Sequence, residues 1–209
     1  MSAEIGSEVP KEATAGVARE TPPLARPEFI LPHGHKIEAW AAAYTPDGKT
    51  LITSGSSGLL MRWEVDKLPG GGKLLGGQSF GANAIAVAPD GRLFATGNWD
   101  HTIGLWGADG GQLALLKGHE DGVRSVAFSP DGRIVAAGQW TGEIHLWKAA
   151  TLAPLVSRPI PAHSDMIFDL AFSPDGKHIA TASKDGTVKV WKVTSLTTDS
   201  SESHDPAGR

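Results

Sequence analysis

The tripeptide Pro-Asp-Gly occurs four times in this chain, beginning at Pro46, Pro89, Pro130 and Pro174, and a tryptophan follows each copy 17 residues later: Trp63, Trp106, Trp147 and Trp191. The copies stand 43, 41 and 44 residues apart. A period of this length with fixed turn chemistry points to sheet-built units, and the length variation falls in the loops between them.

Each unit reads as strands. A period-2 segment such as "VRSVAFS" (123–129) precedes the turn, in which Pro sets the first dihedral and Gly relieves the last, and a second strand such as "RIVAAG" follows. A third strand ends at the tryptophan, and "GQLALLKGH" (111–119) is the clearest candidate for a fourth. Three residues before each turn proline stands an alanine: Ala43, Ala86, Ala127 or Ala171. One sheet face is thus kept small while the other fills space, as close stacking of neighbouring sheets requires. The units span 27–65, 66–108, 109–149 and 150–195. Residues 1–26 and 196–209, rich in Ser, Thr, Pro, Ala and Glu, read as disordered tails.

Composition narrows the function. A net charge of −4 over 209 residues supplies no basic excess for nucleic acid or anionic lipid. With no cysteine, thiol nucleophiles, thiolate zinc sites and disulfides are excluded. No apolar run approaches the ~18 residues of a membrane span, and the first residues lack a basic end followed by an apolar core. A cytoplasmic protein without membrane contact is expected.

The segments "KGHEDGVRSVAFSPDGRIVAAG" (117–138) and "HSDMIFDLAFSPDGKHIATASKDGTVKVWKV" (163–193) resemble the WD-repeat β-propeller family, with weaker copies in the first two units. The resemblance implies an all-β propeller of four-stranded antiparallel blades, four here. It also implies that a His, a strand Ser or Thr, a turn Asp and the strand Trp form a buried bracing set in each blade. Unit four has all of them: His163, Thr181, Asp185 and Trp191. Unit one offers His35, Thr53 and Trp63 with Ser57 for the aspartate; unit two offers Thr96, Asp100 and Trp106 with Gln78 for the histidine. Unit three keeps His119 and Trp147 but has Ala137 and Thr141. Unit four is therefore expected to be the best braced. Closing a ring with four blades needs roughly 90° between neighbours against about 51° for seven. The expectation is an open or partial propeller, or one completed by self-association into a homodimer, with "PEFILPHGH" (27–35) as an outer strand for the last unit.

Catalysis finds no support in the residues. His33 has no ligand at metal spacing beside it, and "LPGGGKLLGG" (68–77) lacks the Ser or Thr and the earlier Gly of a phosphate loop. Asp47, Asp90, Asp131 and Asp175 are turn formers. No enzyme activity, metal or cofactor is expected. Three tryptophans lie outside the repeated strand position. Trp99 and Trp140 precede the turn at the second hairpin tip, where the other units use Ser56 and Lys184. Trp40 shares a position six residues before the turn proline with Asn83, Arg124 and Phe168, and two residues earlier come Glu38, Gly81, Gly122 and Met166. In the resembling family both positions face the ring's top surface, where partners dock. Aromatics, Met and Arg are enriched in interface cores, so Trp40, Trp99, Trp140, Arg124, Met166, Phe168 and Lys184 form the candidate site for a protein or peptide. Three alternatives compete with this reading: the rings cap a narrow channel, the chain is a fragment or half of a larger propeller in a multi-component assembly, or the rings stack nucleic-acid bases, for which Arg124 and Lys184 are few cations.

Overall fold

The computed structural model describes residues 27–31, 35, 38–77 and 81–197. Four antiparallel sheets follow one another along the chain. Blade 1 holds β1 (Ala39–Tyr44), β2 (Thr50–Gly55), β3 (Leu59–Glu64) and β4 (Gly72–Gly77); blade 2 holds β5 (Ala82–Val87), β6 (Leu93–Asn98), β7 (Ile103–Gly107) and β8 (Gln112–Leu116). Blade 3 holds β9 (Val123–Phe128), β10 (Ile134–Gln139), β11 (Glu143–Lys148) and the short β12 (Ile160–Pro161). Blade 4 has three strands, β13 (Ile167–Phe172), β14 (His178–Ser183) and β15 (Val188–Lys192), followed by α1 (Val193–Thr197).

The repeated turn is held by its own side chains. In blade 3 the Ser129 hydroxyl donates to Asp131 Oδ1 at 2.6 Å, the Arg133 N–H donates to the same oxygen at 3.0 Å, and Gly132 takes φ +70°. The hydroxyl bond holds the Asp131 carboxyl below the usual carboxylate range, and Thr45 and Ser173 do the same for Asp47 and Asp175. Each turn thereby fixes the register of the hairpin it closes.

Blades stack with constant polarity. The face that carries the strand tryptophan packs on the alanine-bearing face of the blade before it. Phe94 and Trp106 of blade 2 meet Ile52 and Leu60 of blade 1; Phe128, Val135 and Trp147 of blade 3 meet Ala95, Ile103 and Leu105 of blade 2. Leu170, Ile179 and Trp191 of blade 4 meet Ala136, Ile144 and Leu146 of blade 3. Each fully buried Leu or Ile contributes about 1.5–3 kcal/mol.

The inner strands pack in the order β1, β5, β9, β13, and the arc is open. At its end Val188 and Val190 are 71 % and 66 % exposed, whereas Ile144 and Leu146, at the same places in blade 3, are buried. At its beginning Tyr44 is exposed, and a groove of about 350 Å³ lies among Leu31, His35, Trp40 and Trp63.

Two expectations are corrected. Residues 27–31 form no strand, and Phe29 and Ile30 are exposed; the remainder of that stretch apart from His35 lies outside the described residues. The folded part also runs past residue 195, because α1 buries Leu196 against Ile179 and its neighbours between blades 3 and 4. The other residues assigned to the two tails lie outside the described ones.

Candidate docking surface and blade-bracing sets

Blade 4 carries the full bracing set. The Trp191 indole N–H donates to Thr181 Oγ1 at 3.0 Å, and Thr181 Oγ1 lies 2.7 Å from His163 Nε2. His163 Nδ1 lies 2.8 Å from Asp185 Oδ2, and Asp185 Oδ1 accepts from the Thr187 hydroxyl at 2.7 Å. With the imidazole proton on Nδ1 every member donates in one direction, Trp to Thr to His to Asp. The Thr187 hydroxyl foremost, then His163, hold the Asp185 carboxyl far below the usual carboxylate range.

The other blades depart from this set residue by residue. In blade 1 Thr53 Oγ1 accepts from Trp63 at 2.9 Å and lies 2.8 Å from His35 Nε2. Ser57 is too short to replace an aspartate, so His35 Nδ1 and Ser57 Oγ are both buried without a partner, and burial lowers the His35 pKa. In blade 2 Trp106 donates to Thr96 at 3.0 Å, and Asp100 turns to the Thr102 hydroxyl and N–H; Gln78 lies outside the described residues.

Blade 3 replaces hydrogen bonds by ring packing. His119 Nδ1 donates to the His101 carbonyl at 3.0 Å, while its Nε2, facing no Thr, is unpartnered. The His119 ring lies 4.7 Å from the His145 ring and 5.1 Å from Trp147, between centroids. Burial lowers both imidazoles to about 4, and His145 next to His119 adds to the shift of the latter. Both are neutral at pH 7, as two adjacent buried rings must be. Sequence reasoning missed His145, whose position across the hairpin from Ala137 was the available signal.

The three remaining tryptophans meet on one rim. The hairpin tips are built alike in all blades, with the N–H of Ser56, Trp99, Trp140 and Lys184 donating to the carbonyls of Glu38, Gly81, Gly122 and Met166. Trp99 and Trp140 meet edge to face with centroids 4.8 Å apart, and Trp40 lies 6.0 Å from Trp99. Glycines make room for them: a Cβ at Gly81 would fall 2.3 Å from Trp40 Cζ3, and the Trp140 indole lies over Gly122. Glu38 accepts from the Trp40 indole at 3.0 Å and Asn83 accepts from Trp99. Trp40 and Trp99 are 37 % and 43 % exposed; Trp140 is half-buried, its N–H enclosed without a partner. Further along, Arg124 and Met166 are half-buried, Phe168 is exposed, and Lys184 pairs with Asp165 at 3.4 Å.

Among the described residues no three of His, Asp and Glu gather as metal ligands, and no helix is long and apolar enough to cross a membrane. No curated protein matches the chain. Solved structures share its fold: "Crystal structure of RRP9 WD40 repeats" (TM-score 0.69, 22 % identity, 78 % of this chain and 50 % of that one) and "Structure of U3-55K" (TM-score 0.69, 22 % identity, 78 % and 51 %). The chain spans about half the length of these structures. The family pattern for the WD domain, G-beta repeat (WD40), matches residues 73–107, 110–148 and 155–192, more than half of the sequence. With its repeated turns, strand tryptophans and stacked blades, the chain belongs to the WD40 family.

Proposed function

We propose that the chain is a non-catalytic scaffold that binds a protein or peptide on the rim formed by Trp40, Trp99 and Trp140. WD40 repeats generally serve as protein-interaction scaffolds, and the family is generally non-catalytic. One observation carries the reading: three indoles from three blades adjoin, Trp99 and Trp140 at a tip where the other blades use Ser56 and Lys184, and two of the three keep about two-fifths of their surface exposed. Arg124, Met166, Phe168 and Lys184 extend the same rim toward blade 4, and this mix of aromatic, Met and Arg suits an interface core. A second reading, favoured by the exposed Val188 and Val190 on the outer face of blade 4, is that a partner or a second chain completes the ring. A cytoplasmic location is part of the same proposal.

The test replaces Trp99 and Trp140 by Ser, the residue blade 1 uses at that tip. The double variant is expected to melt close to the parent and to lose partner capture, since an aromatic anchor is worth about 2 kcal/mol or more. A variant that melts far lower and still captures its partners makes these rings core and ends the reading. Captured partners are titrated with salt: a steep loss assigns the rim to nucleic acid, a flat response to protein.

A further inference from the structure

We infer, on the reading of the rim as a docking surface, that the group it takes from its partner is cationic: the arginine or lysine head of a basic peptide, laid on the outer faces of Trp40 and Trp99 beside Glu38. The three indoles have no N–H to offer a partner. The Trp40 N–H goes to Glu38, the Trp99 N–H goes to Asn83, and the Trp140 N–H is enclosed. A partner's carbonyl or carboxylate thus finds no donor on these rings. An indole face, the negative pole of the ring quadrupole, instead attracts a cation, and tryptophan does so best of the aromatic side chains.

The charge around the rings has the same sign as their faces. Glu38 is exposed, with its Oε2 3.0 Å from the Trp40 indole nitrogen, and among the described residues it makes no ion pair. Asp121, its side chain about half exposed, precedes the Gly122 over which Trp140 lies, and its nearest described cationic partner is His101 at 4.0 Å. The cations described on the rim, Arg124 and Lys184, stand on blades 3 and 4, and Lys184 pairs with Asp165. Neither covers one of the three indoles: the one cation–ring contact among the described residues joins Lys189 to Trp191. The chain's net charge of −4 adds a field that draws a basic partner. A guanidinium stacks flat on such faces, and the aliphatic stem of either basic side chain covers ring edge. Nucleic acid suits the rim less well, because its phosphates would face Glu38 and Asp121.

The probes are four end-blocked tripeptides, Gly-Xaa-Gly with arginine, lysine, citrulline or acetyl-lysine at the centre. Citrulline and acetyl-lysine keep the length of their twins and lose the charge. Each is titrated into the full chain while NMR follows the indole N–H signals, assigned with Trp40→Leu, Trp99→Ser and Trp140→Ser. Arginine, lysine or both should move the Trp40 and Trp99 signals with a dissociation constant at least about fivefold below that of the neutral twin. Glu38→Gln keeps an acceptor for the Trp40 N–H and removes the charge; it should weaken the charged peptide about threefold and leave the neutral one unchanged. One head exchanges about one counterion, so its salt response stays far shallower than that of a polyanion. Neutral peptides that bind the rings as tightly as their charged twins overturn the inference and leave the rim a docking surface for apolar groups. Glu38→Gln without effect on the charged peptides also overturns it. So do indole signals that none of the four peptides moves, and if Trp99→Ser with Trp140→Ser then keeps its captured partners, the reading of the rim falls as well.

Discussion

Blades 3 and 4 solve one problem in two ways. Blade 3 is covered on both faces, with Ile144 and Leu146 buried on one and Val135 and Trp147 on the other, and it has lost the Thr and Asp of the bracing set. Blade 4 is covered on one face only and shows no outer strand among the described residues, and it keeps every member of the set. Burial and a satisfied hydrogen-bond chain are thus alternative ways to fix a blade. Where neighbours supply burial, the chain of bonds can be replaced by stacked rings.

The largest expected effect breaks the burial side. Leu146→Ala should destabilise by about 2–5 kcal/mol at any protein concentration, as denaturant unfolding followed by tryptophan fluorescence would show. Val190→Ala should cost under about 0.5 kcal/mol, because its side chain faces water. Next comes the bracing side. Thr181→Val keeps the shape of the side chain but strips the hydroxyl from the Trp191 N–H and from His163 Nε2, at about 2–3 kcal/mol. Asp185→Ala should lower the melting point far more than Thr141→Ala, whose hydroxyl is exposed in blade 3.

The ring packing of blade 3 carries a pH signature. His119 and His145 titrate near 4 in the fold and near 6.5 when unfolded, so the unfolded chain binds more protons between those values. This stability is full well above pH 6.5 and is lost as pH drops toward 4, by up to about 3 kcal/mol for each histidine. His145→Met, borrowing the Met61 of blade 1, should flatten that slope in a series of unfolding curves. The smallest effect is a gain. His101 holds φ +64° at a tip where the other blades use Gly58, Gly142 and Gly186, so His101→Gly should stabilise by up to about 1 kcal/mol.

Much of this was legible in the sequence because turns and strand alternation are local. The four Pro-Asp-Gly turns and the strand tryptophans need only spacing to be found, and the resemblance to the WD-repeat family then marks His163, Thr181, Asp185 and Trp191 as a complete set. The convergence of Trp40, Trp99 and Trp140 followed from aligning the units, since equivalent positions in stacked blades share a rim. Other features depend on what lies next door. Val188 and Val190 read like Ile144 and Leu146, yet no described residue covers them. Ala137 reads as a lost hydroxyl, while the replacement comes from His145 across the hairpin. The five residues of α1 are too short for a helical pattern, and it is Leu196 reaching the blade 3 and 4 core that anchors them.

Native-state hydrogen exchange on the parent and the Thr181→Val variant tests most directly whether the two blades are held by different means. Loss of the hydroxyl should release the amides of β13, β14 and β15 by local opening, leaving the protection of β9, β10 and β11 near that of the parent. Equal loss across both blades would contradict the account, because the bracing set would then be no more important to blade 4 than to its neighbour.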